Sequence, residues 1–219
     1  MPSRRLPPAL ALVLVLALVL LSACVTHAPS PVGDAFLRAC APPALTVRFA
    51  DPDGLPSAYD EAVHAVSPAA GAPVRGHAAR TVEARIAAGL RPRLAAFEGD
   101  AACTLDVAVE NVILPDATRY TPLSGMKSFA VAVRLTGPDG RVLAETTRPM
   151  TVLSDMQRRG GRFSGSAWSR PGDTDALRAE VVAGLSDATA RVVGEAVTGG
   201  RTQTGLSGRL VAYPERLPR

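Results

Sequence analysis

Between residues 44 and 153 the chain alternates apolar and polar positions in four stretches, the pattern of half-buried strands. In residues 44–50, Leu45, Val47 and Phe49 face one way, and Thr46 and Arg48 the other. In residues 103–114, Leu105, Val107 and Val109 stand against Asp106, Ala108 and Glu110. In residues 128–135, Phe129, Val131, Val133 and Leu135 stand against Ala130, Ala132 and Arg134. Residues 141–153 form a weaker fourth stretch. Its second half is expected at an edge or bulge, because Pro149 has no N–H for a ladder. Gly137, Pro138, Asp139 and Gly140 predict a tight turn between the third and fourth strands.

Two stretches carry a helical period instead. Residues 78–97 place Val82, Ile86, Leu90, Leu94 and Phe97 on one stripe, and Pro92 is expected to kink or restart that helix. Residues 174–197 place Leu177, Val181, Leu185, Ala188, Val192 and Ala196 on one stripe. Asp173 or Thr174 is expected to cap this second helix, and Asp175 to complement its dipole. The predicted order is β-α-β-β-β-α. Each strand has one strongly apolar face, so the expected fold is α/β (α+β): a two-layer sandwich of a four-stranded mixed sheet with two helices on one face. On the open face Arg48, Asp106, Glu110 and Arg134 are placed to pair across strands or to face solvent.

The chain before this domain is of another kind. Arg4 and Arg5 precede an almost purely Leu, Val and Ala run from residue 6 to 21, which ends on Ser22, Ala23 and Cys24. A positive start, an apolar stretch and a small-residue end form a secretory signal peptide, and the run is shorter than the ~20 residues of a spanning helix. Leu21, Ser22, Ala23 and Cys24 resemble the lipobox of bacterial lipoproteins. The resemblance implies that Cys24 takes a diacylglycerol on sulfur, becomes the mature N-terminus and is acylated again. Val25 stands where Asp would imply inner-membrane retention, so the resemblance favours the outer membrane. The expected organisation is a signal peptide over 1–23, a tether over 24–40, one domain over 41–199 and a flexible tail over 200–219. Cleavage removes two of the 24 basic residues and none of the 20 acidic ones, which lowers the net charge from +4 to +2. The high isoelectric point is then no argument for nucleic acid.

With Cys24 lipidated, Cys40 and Cys103 remain, and in an oxidising compartment they read as a disulfide. Topology supports the pairing. A helical crossover makes the first two strands parallel, and both cysteines then precede strands that start at the same edge. The connections over 51–77, 115–127 and 154–173 leave from the opposite edge, pointing away from the anchor, where long loops carry function.

The last of these loops holds Arg158, Arg159, Arg162, Phe163 and Trp168, the arginine and aromatic mix of binding hot spots. With Tyr120 of the second loop, these are the candidate partner-binding residues for an envelope protein or an anionic ligand. His64 and His77, with Asp60 or Glu61, match no ligand spacing, and neither a metal nor another cofactor is expected. Asp51, Asp53 and Gly54 read as turn formers. No serine has a triad context, and the segment around Ser166 lacks the spacing of a nucleophile elbow. The element order resembles small α/β lipoproteins of Gram-negative envelopes, including auxiliary lipoproteins of transporters and the amino-terminal domain of the translocation protein TolB. A fold-level resemblance does not carry function. The expected role is a non-catalytic, lipid-anchored binding protein facing the periplasm; the alternative is a small periplasmic hydrolase with its site in the loops at the strand ends.

Overall fold

Residues 26–51, 55–66, 75–114, 128–153, 174–204 and 208–218 are described by the computed structural model. The alternating stretches form strands β2 (Ala44–Phe49), β3 (Thr104–Ile113) and β4 (Ser128–Thr136). Strands β2 and β3 are parallel and in register from Ala44 opposite Thr104 to Phe49 opposite Val109. Strand β4 runs antiparallel to β3, with a register shift between Val109 and Asn111. The fourth stretch divides into β5 (Val142–Thr146) and β6 (Met150–Leu153), and both pair antiparallel with β4. Pro149 lies in the break between them, as its missing N–H requires. In the preceding turn Asp139 Oδ1 accepts the Arg141 N–H at 3.1 Å. That bond, and the Arg141 side chain after it, hold the Asp139 carboxyl below the usual carboxylate range. This contribution to the turn is present above the unfolded pKa and is lost as pH falls through the folded one.

The chain is therefore mixed α/β with a mixed sheet, but among the described residues the sheet has six strands rather than four. The added strand is β8 (Leu210–Ala212), which pairs with β5. It comes from the expected tail, and a strand of three residues is too short to show a period. Within the expected tether, residues 26–40 carry regular structure. Strand β1 (Thr26–Pro29) pairs antiparallel with β7 (Arg201–Thr204) as a separate ribbon. Helix α1 (Asp34–Ala39) follows, and Val32 and Phe36 are buried in the core. Proline and glycine there interrupt regular structure, while the apolar side chains between them still dock.

Three longer helices follow. Helix α2 (Ser57–Val66) lies in the expected 51–77 loop and buries Tyr59, Ala62 and Val63. Helix α3 (His77–Leu94) continues through Pro92 as one element and ends two residues later. The expected restart is not needed, because in the last turn the ring displaces only a single ladder bond. Helix α4 (Thr174–Val197) packs against α2, α3, β4, β6 and β7. Its burial is wider than one stripe, with Val182, Ser186, Thr189, Ala190 and Val193 also covered. The Ser186 and Thr189 hydroxyls donate to the carbonyls of Val182 and Leu185 at 2.7 and 2.8 Å, which satisfies them inside the core. Arg85 on α3 donates twice to the Asp187 carboxylate on α4, at 2.7 and 2.8 Å. Both side chains are about half exposed, so the pair contributes less than about 1 kcal/mol.

The core lies between the helices and one sheet face. Leu105, Val107, Val109, Phe129, Val131, Val133, Leu135 and Leu143 are buried there against Val82, Ile86, Leu90 and Leu185. At its edge the Phe49 and Phe129 rings meet edge to face, 6.1 Å apart. Below the sheet, Gly99 crosses the end of α1 and donates its N–H to the Cys40 carbonyl at 2.9 Å. A Cβ on Gly99 would stand 2.3 Å from the Arg38 carbonyl oxygen and 2.5 Å from the Ala39 carbonyl carbon. Backbone cannot yield as a side-chain tip does. Gly99→Ala is therefore expected to destabilise by about 1–3 kcal/mol, read from urea unfolding.

Candidate functional site

Two regions can carry contacts: the edge where the strands end toward the helices' starts, and the open sheet face. At the edge, Ile113, Ser128 and Leu153 stand level across β3, β4 and β6, and Phe49 ends β2 beside Val109. The three connections expected to share an edge do depart from it. The residues proposed there from sequence, Tyr120, Arg158, Arg159, Arg162, Phe163 and Trp168, lie outside the described residues, as does Cys24. The Cys40–Cys103 disulfide is formed at the opposite edge, with the Cα atoms 5.7 Å apart.

Helix α3 starts at the loop edge, where Glu83 accepts the Phe49 N–H at 2.8 Å. Its first turn is capped from another helix. Asp60 of α2 is buried and accepts the Ala78 N–H at 2.7 Å and the Gly76 N–H at 3.1 Å. Gly76 sits at φ 76°, in the left-handed region that glycine enters freely. A carboxylate on the positive end of a helix is favourable, and this one has both oxygens engaged. Asp60 is thus a structural cap and not the ligand that sequence had weighed. Beside it the His64 and His77 rings meet edge to face with centres 5.7 Å apart.

On the open face the alternation leaves a row of charges across neighbouring strands. Asp106 is directly opposite Arg134, and Arg134 is opposite Glu145. Arg48 lies 3.6 Å from Asp106, and Arg134 donates to Glu145 at 3.3 Å. Tyr213 adds a bond to the other Glu145 oxygen at 3.4 Å. The Asp106 Oδ1 atom is buried and accepts no hydrogen bond among the described residues. Ala108 and Ala132, directly paired, form a low floor in this row. Thr147, Arg148 and Pro149 at the break between β5 and β6 raise one wall. The result is a groove of about 270 Å³ that also includes Glu110.

Sequence reasoning placed Arg48, Asp106, Glu110 and Arg134 on this face. It missed Glu145, Thr147, Arg148 and Pro149 as groove walls. Glu145 alternates with the buried Ala144, so a signal existed, but the break after Thr146 obscured it. The groove holds three arginines, Arg48, Arg134 and Arg148, and three carboxylates, Asp106, Glu110 and Glu145. Such a balance does not concentrate anions. It complements a surface that carries both signs and hydrogen-bond donors. Compared with known proteins, the chain matches no family model, no curated protein and no solved structure.

Proposed function

We propose that this chain is an exported, lipid-anchored binding protein of a Gram-negative envelope, without catalysis. Its anchor is acyl chains on Cys24, with outer-membrane placement favoured by Val25, and its partner is another envelope protein. The observation that carries the reading is the lipobox closing the apolar run at Cys24. The Cys40–Cys103 disulfide supports an oxidising compartment. The mixed charge of the open-face groove supports a polypeptide partner over a simple anion. In finer terms the fold is a two-layer arrangement of the kind seen in small envelope lipoproteins, with a transport or assembly accessory role.

Capture from solubilised envelopes, with the acylated protein as bait, tests the partner. Wild type is expected to retain a specific envelope protein. Replacing Phe163 and Trp168 by alanine should weaken retention by at least about 2 kcal/mol if the loop supplies the hot spots. The charge swap Glu110→Arg with Arg148→Glu should weaken it if the groove does. Undiminished capture by all these variants together would remove both surfaces from the proposal.

A further inference from the structure

We infer that His64 and His77 form a two-imidazole site for a borderline-soft divalent metal, of the copper(II) or zinc class. The inference goes beyond the binding role and does not depend on it. His64 sits near the end of α2 and His77 at the first position of α3. The fold brings their rings to a 5.7 Å centre separation, tilted 76° to one another. His64 Nδ1 and His77 Nε2 are closed to solvent and have no hydrogen-bond partner among the described residues. A buried polar atom without a partner costs about 1–3 kcal/mol, and two such atoms on neighbouring rings carry a cost that a ligand would remove. Both are ring nitrogens, and neutral imidazole is the usual nitrogen donor to these ions.

The ring separation suits a shared ion. Metal–nitrogen bonds of about 2.0–2.1 Å at a tetrahedral angle put two ring centres roughly 5 Å apart, close to the observed separation. Each ring would carry its proton on the other nitrogen, leaving the inward one free to coordinate. Asp60 does not join them, because both its oxygens cap α3. Among the described residues no group of three or more possible ligands is formed. The described residues therefore supply two ligands, and the remaining positions fall to donors that enter with the ion. This predicts binding weaker than a closed structural zinc site and a preference for copper(II), which stands above zinc in the affinity order.

The test uses copper(II) on the full-length protein in detergent. His27→Gln is introduced first, because the chain has only three histidines and this leaves His64 and His77 alone. Electron paramagnetic resonance should then show one copper per chain with two imidazole nitrogens coordinated. Adding His64→Gln or His77→Gln should each weaken copper binding at least tenfold, about the loss seen when even an outer-shell partner is removed. Circular dichroism and urea unfolding check that the variants remain folded. If they do not, the nitrogen count on His27→Gln decides alone. Copper bound without imidazole coordination, no copper bound, or equal affinity in folded variants would overturn the inference.

Discussion

Replacing Cys40 and Cys103 together by alanine is expected to lower the stability of the domain by about 4 kcal/mol. The two residues are 63 positions apart, and in the chain-entropy account a closed loop of that size removes about this much freedom from the unfolded chain. The loop contains β2, α2 and α3, the crossover that parallel pairing demands. Without the bridge, that crossover must be closed by packing alone. The bond also locks a short parallel contact, where Cys40 bridges to Ala101 just before β3 begins. Urea unfolding of oxidised wild type and of the double variant, analysed at equal slope, measures the difference. Equal midpoints would mean that the bridge is not formed in the protein or that it contributes nothing to its stability.

Cys24→Ser is expected to take the protein out of the membrane fraction or leave it as an uncleaved precursor. The expected effect is large because the proposed anchor is covalent lipid: one acyl chain holds marginally and a second makes the attachment stable, at about 0.8 kcal/mol per buried CH₂. Among the described residues no helix is long and apolar enough to cross a membrane. The start of β1 lies two residues beyond Cys24, a reach of roughly 7 Å at most. That ribbon is fixed to the end of α4, where the Ser30 hydroxyl donates to the Ala196 carbonyl and the Ser30 N–H to the Gly200 carbonyl at 2.9 Å. In the proposed orientation the ribbon end faces the bilayer and the edge with the long connections faces away. Fractionation with and without alkaline wash checks the variant. Serine-substituted protein that stays processed and membrane-bound would contradict the role given to Cys24.

The strands of the sheet centre were legible because they alternate cleanly over five or more positions. The parallel pairing of β2 and β3 followed from the crossover rule, and so did the closeness of Cys40 and Cys103. What escaped was short or irregular. Helix α2 has Tyr59, Ala62 and Val63 at the helical spacing, but ten alanine-rich residues between glycine and proline read as loop. Val32 and Phe36 are isolated apolar positions, and only their burial reveals that the residues before β2 dock on the domain. Strand β8 has three residues, and its place is set by the free edge of β5 rather than by its own pattern. The sites divide in the same way. The cross-strand charges were readable from alternation, whereas the meeting of His64 with His77 depends on how α2 and α3 pack, and no spacing in sequence encodes that.

Intact-mass analysis of the wild-type protein extracted from membranes tests the lipid anchor most directly. The expected species begins at Cys24, carries a diacylglycerol on the sulfur and an acyl chain on the amino group, and lacks the two hydrogen atoms lost on oxidation to the Cys40–Cys103 bond. A chain that still begins at Met1, or one cleaved elsewhere and free of acyl groups, would contradict the account.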